Sequence, residues 1–252
     1  MKEVENTPSL NHCENNSKDY DGTFLPTISD GTCGMSCTVG KKSNFIINGN
    51  DTNRGEFPFV ALISYLYKKK NSLHTCTGVL LNNYYILTNA GCVFPSENYK
   101  VTLGEWDLSK EEDCFDQICL PKIQQFDIKQ EDIILHERYS EGRIFLNNIA
   151  LIRLPQPAKR NIGVQFACLP NTVQESEVNM SDLNNRVGTV VGWGGTTMNN
   201  QPFSRPKLQQ AVSVPIVSQD ECESVYAKYV DNIRESEICA GEAGKGPCAG
   251  DV

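Results

Sequence analysis

Apolar residues in this chain come in short runs broken by Gly, Pro and Asn. From Ile46 onward the runs are "FVALISYLY", "TGVLL", "YYILT", "YKVTLGEW", "DIILHERY", "IALIRL", "GTVVGW" and "QQAVSVPIV". Their length, their Val, Ile and Tyr content and their hairpin-like spacing predict β-strands. A helical pattern occurs in "SQDECESVYAKYV", where Ser218 stands as N-cap and Glu221 is placed for a capping box. Residues 1–45 are polar, carry turn formers in "YDGTFLP" and "SDGTCG", and show no such period. An extended arm tied down by cysteines is expected there. The expected class is all-β, a barrel or sandwich with one short helix.

Charge narrows the partners. At 252 residues the chain has room for one large domain or two small ones. A net charge of -8 and a pI near 5.0 disfavour nucleic acid and anionic membrane surfaces, so an extracellular protein is the expected partner. No apolar run reaches the roughly 18 residues that a spanning helix needs. Eleven cysteines, none in Cys-x-x-Cys spacing, argue against a zinc ribbon and for disulfides in an oxidising compartment. No metal and no cofactor is expected. The start "MKEVENTPSL" lacks the apolar stretch of a signal peptide. The chain is therefore read as a mature or clipped form, or as a gene model without its first exon. Glycosylation sequons stand at Asn15, Asn50 and Asn179, in keeping with secretion.

One stretch, "ILTNAGCVF", raises a sharper question. It reads as a strand entering a tight turn at Ala90-Gly91, closed by a cysteine, and none of its side chains can move a proton. Its neighbours supply a context. "IINGNDTNRGEFPFVALI", "CTGVLLNNYYILTNAGCV", "LNNIALIRL", "FACLP", "VVGWGGT" and "ICAGEAGKGPCAGDV" follow one another in this order. From Ile46 to Val252 the chain thus resembles the chymotrypsin-like serine proteases, and within them the insect clip-domain proteases and their catalytically dead homologues. "LGEWDLSKEEDCFDQIC" resembles the small disulfide loop of that subfamily. The resemblance implies a double six-stranded antiparallel β-barrel for residues 46–252, with its second barrel incomplete at the C-terminus, after an arm at 1–45 that holds too few cysteines for a clip domain.

The same resemblance assigns roles residue by residue. Gly91 stands where the family has its histidine, Asn148 where it has its aspartate, and Val252 where it has its serine. Gly246 takes the place of the specificity-pocket aspartate of trypsin-like members. Ile46 corresponds to the N-terminus freed by activation, with Phe45 rather than Arg or Lys before it, and Asp251 to its partner, the two reading equally as a working switch or as relics of the fold. The implied disulfides are Cys76–Cys92, Cys114–Cys119, Cys222–Cys239 and Cys33–Cys168. Cys13 with Cys37 would staple the arm, which leaves Cys248 odd and, with the incomplete barrel, implies self-association. None of His12, His74 and His136 sits in a motif that substitutes for the triad, and Glu131 and Asp132 read as a solvated edge. The expected protein is a secreted, non-catalytic protease homologue, a binding cofactor or decoy in an extracellular cascade such as arthropod melanisation or innate immune signalling. The alternative is a truncated gene model of a serine endopeptidase relative with no function of its own.

Overall fold

A computed structural model describes residues 33–36, 50–67, 72–93, 98–115, 118–119, 121–140, 146–170, 183–184, 186–195, 206–226 and 237–242. His12, Asn15, Asn179, Ile46, Gly246, Asp251, Val252 and cysteines 13, 37 and 248 lie outside these residues.

The predicted runs form strands β1 (Asn50–Asp51), β2 (Val60–Tyr67), β3 (Ser72–Leu80), β4 (Tyr85–Thr88), β5 (Tyr99–Leu103), β6 (Cys114–Phe115), β7 (Ile118–Cys119), β8 (Gln124–Ile128), β9 (Ile133–Leu135), β10 (Ala150–Arg153), β11 (Val187–Gly192) and β12 (Gln210–Pro215). A single α-helix among the described residues, α1, spans Gln219–Tyr226. At its start the Glu221 N–H donates to Ser218 Oγ at 3.3 Å, which satisfies one of the otherwise orphaned donors of the first turn.

Seven strands make one antiparallel sheet in the order β8-β5-β2-β3-β4-β10-β9. Its two edge strands are neighbours in sequence, separated only by a short 3-10 turn at Gln130–Asp132. Four connecting residues reach no further than about 14 Å, so the sheet curls to bring the end of β8 near the start of β9. This curled sheet of seven strands corresponds to the first of the two expected barrels, and the second is represented by three strands among the described residues. Asp132 makes the turn between β8 and β9: its carboxylate accepts the Lys129 N–H at 3.0 Å, and its own N–H donates to the Lys129 carbonyl at 3.0 Å. The run "DIILHERY" contributes only Ile133–Leu135 to a strand, because the chain turns at His136, whose carbonyl accepts the Tyr139 N–H.

The run "FVALISYLY" lacks alternation for a physical reason: the first half of β2, residues 60–63, is buried on both faces. Ala61 and Ile63 enter the barrel core with Leu80, Ile86, Val101 and Ile152. Val60 and Leu62 face the other way, against Trp193 at the end of β11. A second sheet, β1-β12-β11, sits on that side. Trp106 ties the two together. Its indole N–H donates to the Thr52 carbonyl, and its own carbonyl accepts the Trp193 indole and the Gln209 N–H. Gly104, at φ +77, makes the turn that sends the chain from β5 to this position.

Disulfides join Cys33 to Cys168, Cys76 to Cys92, Cys114 to Cys119 and Cys222 to Cys239. Close backbone approach in the barrel depends on Gly78. A Cβ there would lie 2.7 Å from Ile86 Cγ2 and 2.8 Å from the Leu87 carbonyl oxygen, and the latter is ladder backbone that cannot move aside. Gly78→Ala is expected to cost about 1–3 kcal/mol by overpacking, read as a lowered urea midpoint with an unchanged slope.

Candidate functional site

Gly91 and Asn148 are 57 residues apart in sequence and meet at the end of the barrel. Strand β4 ends at Thr88, whose hydroxyl donates to the Thr77 carbonyl of β3 at 2.8 Å. The chain then tightens into a 3-10 turn at Ala90–Cys92, with Ala90 and Cys92 buried. The bridge from Cys92 to Cys76 pins the turn to β3. Gly91 is left half-buried, its N–H donating to Asn148 Oδ1 at 2.8 Å.

Asn148 is aimed by its neighbour. Asn147 adopts φ +54, a conformation that Asn tolerates better than most residues, and its amide donates to the Arg138 carbonyl at 2.7 Å. Tyr139, next along from Arg138, completes the surroundings. A Cβ placed on Gly91 would lie 3.6 Å from Asn148 Oδ1 and 3.7 Å from Tyr139 Oη, which is ordinary contact. A Cβ at Gly91 therefore fits without a shift of its neighbours, and what it meets is a carboxamide and a phenol. A carboxamide carries no charge and neither gains nor loses a proton near neutral pH. Tyr139 belongs to a run whose composition predicts strand; its place at the site depends on the turn at His136, which periodicity does not report.

The other candidates stand apart from this pair. His74, in β3, stacks on Tyr65 of β2 with ring centroids 5.4 Å apart. His136 Nδ1 accepts the Arg138 N–H at 3.1 Å. Glu131 is exposed, and Asp132 is spent on the turn described above. Glu112, Cys114 and Cys119 bring potential metal-binding atoms within 4.8 Å of one another. Both sulfurs are joined in a disulfide, however, and the thiolate is the metal-binding form.

A cluster of acids that the motifs did not single out lies on the Trp106 loop. Burial, reinforced by the charges of Asp113 and Asp107, pushes the Glu105 carboxyl up to about 7, although the Trp106 N–H at 3.2 Å favours its ionised form. Burial also raises Asp113. Asp107 is pulled below its usual range, because the Ser109 hydroxyl at 2.6 Å and Lys110 at 3.0 Å outweigh its burial. Arg54 covers the same region, donating to the Asp113 carbonyl at 2.8 Å.

The sign of the Glu105 effect follows from linkage. A carboxyl that holds its proton more tightly when folded makes the native state bind more protons between the unfolded value near 4.5 and the folded value near 7. Its contribution to stability therefore falls as pH rises through that window. Glu105→Gln should flatten this part of the profile, gaining on the parent at pH 8 relative to pH 4 in paired urea titrations.

Comparison with known proteins agrees with this architecture. A solved chain described as "Structure of GrC" superposes with a TM-score of 0.62 at 26% identity, covering 78% of this chain and 76% of its own. Phenoloxidase-activating factor 3 of Holotrichia diomphalia is 37% identical over 82% of this chain and 58% of its own length. The CLIP domain-containing serine protease HP8 of Bombyx mori is 35% identical over 91% of this chain and 60% of its own. The chain thus spans about three fifths of the curated relatives it matches. The Trypsin family model matches residues 46–252, from the sequence that precedes β1 through both sheets and α1, and on that extent of agreement the chain belongs to the trypsin family.

Proposed function

We propose that this protein is a secreted, non-catalytic member of its family, acting as a binding cofactor or decoy in an extracellular protease cascade of the melanisation type. The carrying observation is the meeting of Gly91 with Asn148. Gly91, in the turn after β4, and Asn148, in the turn before β10, are the residues that the motifs align with a base and its orienting carboxylate, and neither side chain can relay a proton. Val252, at the nucleophile position by motif, has no side-chain oxygen to attack with. The cascade context is supported by relatives named as phenoloxidase-activating factors and as Melanization protease 1 of Drosophila melanogaster. Secretion is supported by the four disulfides, which persist in oxidising compartments.

A cofactor and an enzyme differ in how their effect scales. Added to a reconstituted cascade of clip-protease zymogens, the full chain should change the activation rate only at amounts comparable to its partner, with a plateau. An effect that grows with time at trace amounts would make it an enzyme after all.

A further inference from the structure

We propose that Asn50 carries an N-linked glycan, attached before its strand docks onto β12. The sequence Asn50-Asp51-Thr52 is a sequon, and the Asn50 side chain is exposed. Its cross-strand partner is Ala211, the smallest side chain that such a position offers short of glycine, so a bulky group on Asn50 meets no wall there. β1 is an edge strand of its sheet, with no neighbour on its outer side among the described residues.

Thr52 gives the order of events. The sequon is read through the hydroxyl of its third residue, and in the folded chain that hydroxyl is sealed. Thr52 is 3% exposed, and its Oγ1 lies 3.0 Å from Gln209 Oε1 and 3.3 Å from the Gln209 carbonyl oxygen. The Thr52 N–H is held by the same carbonyl at 2.9 Å. Gln209 lies 157 residues further on, so this lock closes only when the second sheet assembles. During synthesis the sequon is open for as long as that takes.

The transfer itself is a substitution. Asn50 Nδ2 attacks the anomeric carbon of a lipid-pyrophosphate-linked oligosaccharide, the secretory pathway's donor. A carbon–nitrogen bond forms and the carbon–oxygen bond to pyrophosphate breaks. The lipid pyrophosphate leaves, one amide proton goes to a base of the transferase, and nothing is oxidised or reduced. The glycan then stands over the open edge of β1, where it excludes the approach of another strand.

The inference rests on the secretory reading, and one experiment separates the two. The full chain is expressed behind a secretory leader in insect cells, and its glycans are released by a glycosidase in heavy-oxygen water. The peptide holding Asn50 should show aspartate with heavy oxygen, and Asn50→Gln should lose the corresponding gel shift while keeping its disulfides. Glycans on Asn15 or Asn179 with Asn50 bare would overturn the assignment but leave secretion standing. All three bare with reduced cysteines would overturn both. For the order of events, unglycosylated chain is offered to microsomes and donor in two states. Reduced, unfolded chain should be modified at Asn50 and folded chain should not; equal modification would refute the lock.

Discussion

Peptide substrates of every side-chain class will remain intact in the presence of the purified full chain, and a fluorophosphonate probe will leave it unlabelled. In the serine-protease template the serine oxygen attacks, an imidazole takes its proton, and a carboxylate holds the imidazole in the right tautomer. Loss of nucleophile or base alone costs about 2 × 10⁶ in turnover, and loss of all three costs hardly more, because they act as a unit. On the proposed reading, the motifs align Gly91, Asn148 and Val252 with these three positions. Partial repair should fail for the same reason. At Gly91 a Cβ fits without a clash, the nearest contact being 3.6 Å, so Gly91→His is the natural first repair. With Asn148 beside it, however, the ring would be held without a carboxylate, a defect worth about 10⁴ in rate. Gly91→His with Asn148→Asp corrects the pair and still lacks a nucleophile. Both variants should fold and remain inert. Stoichiometric labelling of the parent chain by the probe would end the non-catalytic reading.

Removing the bridge between Cys33 and Cys168 will cost more stability than removing any other described bridge. Its cysteines are 135 residues apart, against 5 for Cys114–Cys119. In the chain-entropy account those separations correspond to about 5 and about 2 kcal/mol. Set against a typical domain stability of about 5–15 kcal/mol, the first is a large share. Packing adds to it. Cys33 is 5% exposed within the barrel core cluster, and the Gly34 N–H donates to the Phe166 carbonyl at 2.8 Å. Cys33→Ala with Cys168→Ala should therefore lower the urea midpoint well beyond Cys114→Ala with Cys119→Ala. Equal losses in the two double variants would show that loop length is not what these bridges act through.

Much of the fold is legible in the amino-acid order alone. Strand existence follows from short β-rich runs between turn residues, and the helix start from Ser218, because both depend on local backbone preference and side-chain period. The site is legible only by motif. "NAGCV" and "LNNIALIRL" mark where Gly91 and Asn148 belong in the family, but nothing local says that the N–H of one would meet the amide oxygen of the other. The run "DIILHERY" has the composition of one strand throughout and forms two things. Its apolar half is strand and its polar half is a turn, and the turn is what delivers Tyr139 to the site.

The sequence by itself determined the strands, the cap of α1 and the side-chain chemistry available at each motif, since these depend on residues a few positions apart. The tertiary structure decided the rest: the curl that brings β8 near β9, the two buried faces of the first half of β2, the Thr52–Gln209 lock and the raised proton affinity of Glu105. Each of these is a property of groups brought together from distant parts of the chain. Burial and the charge of a neighbour act through space, and spacing along the sequence carries no record of them.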